Sequence, residues 1–301
     1  MRLMINIIVL IFFTMACSQT TKVAMRNTSA TNNQSHNSPF KIYSADGKAT
    51  NYSNLLELTS SADIVFFGEL HDNPMAHWLQ LQLTKDFYKK RGSDLVLGAE
   101  MFEADDQIIM NEYLDSVITK KNFEKEAKLW DNYKTDYKPL VDFAQKNKLA
   151  FIATNVPRRY ANLVYKKDIE ALNSLHEGAK KFMAPLPIKV DLEVKGYKDM
   201  IIMMGDHGSP KIAKAQMLKD ATMSHFLLKN YKKGNLFFHF NGSYHSKNKE
   251  GIIYYIRQTN TDAKIMTITT VLQKDVNQLE EKYKNQADFI VVVPNDMTRT
   301  Y

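Results

Sequence analysis

Short apolar runs and longer amphipathic segments alternate along much of the chain. Amphipathic segments with helical spacing follow each of the first three apolar runs, which are Asp63–Gly68, Asp94–Phe102 and Leu149–Pro157. Strands that alternate with helices form right-handed crossovers and a parallel sheet. The first long helix is predicted from about Pro74 to Lys90, because Pro74 suits a first helical position and Asp72 or Asn73 can cap it.

The alternation stops in the middle of the chain and later resumes. Helical segments with Pro and Gly interruptions fill residues 166–233, where no convincing strand is present. Strands are predicted again in 234–245, 263–271 and 288–294, with a charged helix between the last two, and a short hairpin around Asp46-Gly47 precedes the first strand. The predicted fold class is therefore α/β, a mostly parallel sheet flanked by helices with a smaller helical subdomain inserted. The α/β domain comprises 40–165 and 234–301, and the subdomain comprises 166–233.

The first 17 residues have the pattern of a bacterial lipoprotein signal. A positive Arg2 precedes an apolar stretch too short to span a bilayer, and the only cysteine of the chain, Cys17, follows Ala16. Lipidation of Cys17 would hold the protein to the outer membrane, on its periplasmic or surface face. The alternative is an ordinary cleaved signal peptide with an incidental cysteine. Residues 18–39 are polar and lack periodicity, so a disordered tether is predicted there.

The composition and the charge distribution argue against nucleic acid as a partner. The 301 residues are 44% hydrophobic and 24% charged, as in a globular protein with a core. The net charge of +7 is spread along the chain. A nucleic-acid partner would require a basic stripe with interleaved aromatic residues, and none is evident.

Polar side chains follow four of the predicted strands at the point where each strand ends. They are Glu69 and His71, then Glu100, then Asn155 and Arg158, and finally Asn241, Tyr244 and His245. Because ligands bind at the carboxyl ends of parallel strands, these residues are expected to form a site.

Three interpretations of these strand-end residues remain open. His71 and His245 could bind a divalent metal together with the carboxylates. A His–Glu pair could instead act as a general base that activates water. The structural alternative is that Glu69 and His71 only stabilise the N-terminus of the following helix.

Five segments in order resemble the ChaN-like iron-regulated lipoproteins of the haem-uptake and Tiki superfamily. They are "FFGELHDNPMAHWLQLQL", "GAEMF", "NVPRRYA", "AQMLKDATMSH" and "FNGSYHSKNKEGI", so that the resemblance runs from about Phe40 to about Pro294. It implies haem binding, a homodimer with haem at its interface, and tyrosine ligation. The wider superfamily includes metalloproteases and esterase-like hydrolases. The resemblance therefore also implies that four residues, Glu69, His71, Glu100 and His245, form a catalytic or metal-binding cluster.

No haem ligand transfers from the family by motif, but three residues are candidates. Tyr137, Tyr197 and His207 carry side chains that ligate haem iron in proteins. Met200, Met203 and Met204 could line a porphyrin face, although an amphipathic helix with methionine in its core explains them equally well. His225 and His239 have no evident partners in the sequence.

Three functions follow from these observations. The leading one is a membrane-anchored haem-binding lipoprotein that serves haem or iron acquisition. The second is a hydrolase of ester, amide or peptide bonds, with or without a metal, that uses the Glu/His cluster. The third is an interaction module for an outer-membrane receptor, for which the sequence contains no feature of its own.

Overall fold

The computed structural model describes residues 38–205, 209–259 and 262–301. The predicted signal with Cys17, almost all of the tether, and His207 lie outside the described residues. In the described part, no helix combines the length and the apolar character needed to cross a membrane.

Eight strands form one sheet, in which the six strands from β3 to β8 are parallel. The strands are β1 (Lys41–Ser44), β2 (Ala49–Thr50), β3 (Ile64–Glu69), β4 (Leu95–Glu103), β5 (Phe151–Asn155), β6 (Leu236–Gly242), β7 (Ile265–Gln273) and β8 (Phe289–Pro294). Their order across the sheet is β2-β1-β8-β7-β3-β6-β4-β5, with β1 antiparallel to both of its neighbours. The mostly parallel α/β fold is confirmed, and β1 and β2 are the predicted hairpin.

Ten α-helices connect and cover the strands of the described part. They are α1 (Tyr52–Ser60), α2 (Pro74–Arg91), α3 (Gln107–Leu114), α4 (Lys120–Glu126), α5 (Lys138–Asn147), α6 (Arg158–Lys167), α7 (Glu177–Lys180), α8 (Lys195–Met203), α9 (Pro210–Asn230) and α10 (Ile252–Ile256). Helix α2 begins at Pro74, and the Asn73 side chain caps it by accepting the Ala76 N–H at 3.0 Å. The cap fixes where the chain turns after β3, which positions the residues between β3 and α2.

Both faces of the sheet are covered by helices. Along β3, Val65 and Phe67 pack on the side of α2 and α5, whereas Ile64 and Phe66 pack on the side of α9 and α10. A strand buried on both faces is apolar throughout, which is why these strands are continuous apolar runs in the sequence.

The prediction of a charged helix between the last two strands, β7 and β8, is wrong. A single 3-10 turn, Glu281–Tyr283, is the only helical element in this connection. The Gln273 side chain donates to the Gln278 carbonyl at 2.6 Å and accepts the Glu280 N–H at 3.2 Å, so it satisfies backbone groups that a helix would otherwise pair. Val276 is buried against β7 and β8, which holds the loop against the sheet.

The predicted insertion, residues 166–233, contains helices and no strand in its described part. Helix α9 packs against α6, α10 and β5, so its C-terminal half covers one face of the sheet. Residues 38–301 form one compact unit. The division into an α/β domain and an inserted subdomain stays a prediction.

Candidate functional site

The four residues of the predicted catalytic or metal-binding cluster, Glu69, His71, Glu100 and His245, lie at the carboxyl ends of three adjacent strands. Glu69 ends β3, Glu100 is in the second half of β4, and His245 follows β6, which lies between β3 and β4. Glu69 is 1% exposed, and Glu100 and His245 are each 4% exposed. The structure therefore brings together residues that are far apart in sequence, and it buries three of the four.

Glu69 is the centre of the first half of this network. Its Oε1 accepts hydrogen bonds from the Tyr137 hydroxyl at 2.7 Å and from His71 Nδ1 at 2.9 Å. Its Oε2 accepts from Gln80 Nε2 at 2.5 Å and lies 3.5 Å from His77 Nδ1. Burial alone would raise the pKa of Glu69, but His77 and His71 outweigh burial and hold this pKa well below its usual range. Glu69 is therefore a buried carboxylate whose acceptors are all occupied.

His77 links this carboxylate to a second acid on the far side of the ring. His77 Nε2 lies 3.3 Å from Asp136 Oδ2 and 3.1 Å from the His71 carbonyl oxygen. Burial opposes charge on His77, but Glu69 and Asp136 raise its pKa to about 9. At neutral pH His77 is an imidazolium that neutralises Glu69.

His71 differs from the other histidines of the network because one of its ring nitrogens is open. Glu69 binds Nδ1, whereas a Cβ built on Gly242 would lie 2.7 Å from His71 Nε2 and 3.5 Å from Glu100 Oε2. His71 Nε2 and Glu100 Oε2 are thus within about 6 Å of each other across Gly242. One third of the His71 side chain is exposed, and the Trp130 ring packs against it at 4.9 Å. His71 Nε2 therefore has no hydrogen-bond partner among the described residues, and it belongs to a partly exposed side chain.

His245 lies between two carboxylates in the second half of the network. Its Nε2 is 3.0 Å from Glu100 Oε1, and its Nδ1 is 2.5 Å from Asp220 Oδ1. The other oxygen of Asp220 accepts from the Tyr197 hydroxyl at 2.7 Å, and Glu100 Oε2 accepts the Gly242 N–H at 2.8 Å. Both ring nitrogens of His245 are therefore occupied.

The charges in this half are set by the same contacts. Burial opposes the charged form of His245, but Glu100 and Asp220 outweigh it and raise the His245 pKa to about 10. Burial also acts against the Glu100 carboxylate, yet His245 and His71 hold the Glu100 pKa below its usual range. Burial raises the pKa of Asp220 despite the nearby imidazolium. We describe the unit as an imidazolium paired mainly with Glu100 and held in place by Asp220.

The predicted divalent metal finds no support in this arrangement. Among the described residues, no group of three or more His, Cys, Asp and Glu side chains is placed to hold a metal ion. A metal-ligating imidazole needs a free lone pair. Both ring nitrogens of His245 donate to carboxylates, and so does Nδ1 of His71. These three nitrogens therefore have no free lone pair for a metal.

The two described tyrosines predicted as haem ligands are buried. The Tyr137 hydroxyl donates to Glu69, and the Tyr197 hydroxyl donates to Asp220. Burial and the adjacent carboxylate raise the pKa of each tyrosine, which disfavours the tyrosinate that would bind ferric iron. The observed positions argue against both as direct ligands.

An exposed apolar surface adjoins the network. It consists of Ile202, Met203, Met204 and Tyr244, with the Lys247 ammonium 3.6 Å from the centre of the Tyr244 ring at its edge, and we call it the Met203 surface. Met203 is 71% exposed, and its sulfur lies 3.7 Å from the Tyr244 hydroxyl. Because Tyr244 precedes His245 directly, this surface begins beside the strand-end network. Met200 is half-buried in the small cleft between Tyr197 and Tyr244, so it contributes less than Met203 and Met204.

Several residues of the network were not identified from the sequence. Asp220 and Gln216 lie one turn apart on α9 and both contact His245. A polar pair at this spacing within the apolar pattern of "AQMLKDATM" was the available signal. The sequence contained no signal that would have identified Gln80 as a network residue or Tyr137 as a partner of Glu69. His239 does have partners, since its ring nitrogens contact Thr154 and Asn241 at 2.8 and 3.1 Å.

Comparison with known proteins gives one family and a set of similar folds. The family model described as haem-binding uptake, Tiki superfamily, ChaN matches residues 55–256. The structure of ChaN from Campylobacter jejuni, described as cofacial haem binding, is similar with a TM-score of 0.65 and 18% identity, over 85% of this chain and 98% of that chain. A succinoglycan biosynthesis protein is similar with a TM-score of 0.50 and 10% identity, over 80% and 90% of the two chains. No curated protein matches the chain.

Proposed function

The chain belongs to the ChaN family of the haem-binding uptake, Tiki superfamily, and from this premise we propose that it binds haem and serves haem or iron acquisition. The match to that family over residues 55–256 is the observation that carries the proposal. The strand-end network lies within the matched segment. The fold is also that of the Campylobacter jejuni ChaN structure.

The Met203 surface is the place where we propose that the haem binds. A porphyrin is a flat apolar body, and exposed apolar patches mark binding surfaces. Methionine adapts well to such a body because its side chain is unbranched and flexible. Haem binding to the Campylobacter jejuni ChaN is cofacial. We propose the corresponding arrangement for this chain, a homodimer in which two copies of the Met203 surface cover the haem groups.

A hemin titration tests this proposal. We expect a saturable shift of the Soret band for the unmodified chain and binding weaker by roughly ten-fold for Met203→Glu, because burying the new charge is costly. Ile108→Glu is the matched control, since Ile108 is 67% exposed on α3. The absence of saturable binding by the unmodified chain would refute haem binding. Equal affinity of both variants would refute the place assigned to the haem.

We further propose that Cys17 is lipidated and anchors the chain to the outer membrane. The signal pattern before this single cysteine supports the proposal. Cys17→Ser should move the protein from the membrane fraction to the soluble fraction, as immunoblotting of fractionated cells would measure. Unchanged fractionation would contradict the proposal.

One observation favours a second function, hydrolysis of an ester, amide or peptide bond. The His71 side chain is one third exposed, and it combines a carboxylate on Nδ1 with an Nε2 that has no hydrogen-bond partner among the described residues, which is how a general base is held. In this reaction Nε2 would take a proton from a water molecule, and Glu69 would stabilise the imidazolium formed. Turnover of a generic ester should disappear in His71→Ala and persist in His176→Ala, the control. No turnover by the unmodified chain would exclude this function for that substrate class.

A further inference from the structure

A groove of about 560 Å³ contains no network residue in its lining, although Ala221 of the lining directly follows Asp220, and burial together with Asp220 raises the pKa of Tyr255, another lining residue. Its walls are the segment from Ala184 to Lys189, the C-terminal half of α9, and the end of α10. Lys229, at one end of the groove, is nine residues beyond Asp220, or about 14 Å along α9. The groove shares no residue with the Met203 surface, and its volume is in the range of small-molecule sites.

The floor of the groove is apolar, whereas two cations mark its rim. Ala221, Leu228 and Tyr255 contribute to the lining. Lys189 and Lys229 are exposed, and neither has a carboxylate within ion-pair distance among the described residues. Lys189 Nζ donates to the neutral Gln258 side chain at 3.2 Å and lies 5.3 Å from the centre of the Tyr254 ring, and Tyr254 and Asp191 raise the pKa of Lys189. Two ammonium groups that make no direct ion pair with a described residue, beside an apolar floor, complement a ligand with an apolar body and two anionic groups.

The groove also contains a histidine with free ring nitrogens. His225 lines it one turn before Lys229 and on the same face of α9. Within the described ranges, its ring contacts the Phe226 ring, at 5.1 Å, and neither ring nitrogen has a hydrogen-bond partner. A neutral imidazole without a hydrogen-bond partner has a lone pair that can bind iron.

We propose that this groove is a haem site of its own, in which His225 ligates the iron and Lys189 and Lys229 pair with the two propionates. Imidazole is a common haem ligand, and ammonium groups are suitable partners for carboxylates. This inference rests on the proposed function, because it concerns the same ligand. It places one haem in each chain at a distance from the Met203 surface, and it gives that haem histidine ligation.

Absorbance and electron paramagnetic resonance spectra of the full chain during hemin titration test the site. His225→Ala should remove the spectral component of histidine-ligated ferric haem, with His176→Ala as its control. The double change Lys189→Glu and Lys229→Glu should weaken the same component by roughly ten-fold, the size expected when two exposed ion pairs are lost. The matched control is Lys232→Glu with Lys233→Glu, two exposed lysines that do not line the groove.

The outcomes separate the groove from the Met203 surface. Loss of the histidine-ligated component in both groove variants, with Met203→Glu retaining it, supports the groove as an independent site. Unchanged spectra and affinities in the groove variants refute it and leave haem binding elsewhere intact. Loss of that component in Met203→Glu also refutes an independent groove site, and no hemin binding at all refutes both proposals. Lys189 and Lys229 are exposed, so that their variants remain informative if His225→Ala unfolds.

Discussion

Replacing Glu100 with glutamine removes one charge from a buried ion pair and keeps the shape of the side chain. His245 Nε2 lies 3.0 Å from Glu100 Oε1, and neither side chain is more than 5% exposed. The amide oxygen of the new side chain can still accept the Gly242 N–H, but its NH2 group then faces His245 Nε2–H, so that both the charge and the hydrogen bond opposite the imidazolium are lost. Breaking a buried ion pair from one side costs about 3–5 kcal/mol, because the remaining charge stays buried. We expect Glu100→Gln to lower the free energy of unfolding at pH 7 by about this amount.

Asp220→Asn should cost less than Glu100→Gln, although both carboxylates contact His245. Burial raises the pKa of Asp220, which means that its own charge is unfavourable in the folded state. Removing this charge offsets part of the loss, and the new amide oxygen can still accept the Tyr197 hydroxyl. The amide NH2 group then faces His245 Nδ1–H, so that this buried hydrogen bond is lost, and the expected cost is about 1–3 kcal/mol.

The pH dependence follows from the His245 pKa, which is raised from 6.5 to about 10 on folding. The folded chain therefore binds more protons than the unfolded chain between these two pH values. The stabilisation from His245 is complete below pH 6.5 and is lost as the pH rises towards 10. The shift corresponds to at most about 5 kcal/mol, because one pKa unit is worth about 1.36 kcal/mol. His77, with a pKa of about 9, adds to the loss in the same direction.

Urea unfolding followed by circular dichroism at steps between pH 6 and pH 10 measures these effects. The unmodified chain should lose stability over this range, and Glu100→Gln should lose less because its His245 pKa is closer to the ordinary value. Glu281→Gln is the control, since Glu281 is 85% exposed and should change stability by less than about 0.5 kcal/mol. If Glu100→Gln matched this control at every pH, the imidazolium assigned to His245 would be wrong.

Three further predictions concern the first half of the network. Gly242→Ala would place a Cβ 2.7 Å from His71 Nε2, so we expect it to lower the free energy of unfolding by about 1–3 kcal/mol, as thermal unfolding would measure. Gly178→Ala is the control, because no atom lies within 4 Å of the added Cβ and its stability should not change. Tyr137→Phe removes one of the donors to Glu69 and should cost about 1–2 kcal/mol in urea unfolding, and no change would contradict the bond. Glu69→Gln should lower the pKa of His71 in an NMR titration, because Glu69 contributes to raising it, and an unchanged pKa would refute that cause.

The strands were predictable from the sequence because they are buried on both faces. Runs such as 64–67 and 289–293 are apolar along their whole length, so that the signal is local and does not depend on the neighbours. The connection from β7 to β8 was not predictable in the same way. Its charged residues fit a solvated helix, and its actual path depends on the Gln273 side chain and on Val276 packing against the sheet.

The site was predictable as far as the sheet determines it. Glu69, Glu100 and His245 come together because parallel strands align their carboxyl ends, a rule that needs no side-chain detail. Asp220 comes from α9, and the rotation of a helix on a sheet is set by tertiary packing rather than by local sequence. Tyr137 was assigned to haem from its residue type, whereas the π-helical turn at 133–137 directs it to Glu69.

The network and the two proposed functions make different demands on His71. The carboxylates Glu69 and Glu100 are each paired with a buried imidazolium, and both ring nitrogens of His77 and of His245 have partners. Among the described histidines of the network, only His71 has a ring nitrogen left to act on another molecule, Nε2. Haem held at the Met203 surface or in the groove needs no proton transfer, whereas hydrolysis needs it at this nitrogen. His71→Ala should therefore abolish any hydrolysis and leave hemin affinity unchanged, which makes this one variant sufficient to separate the two functions.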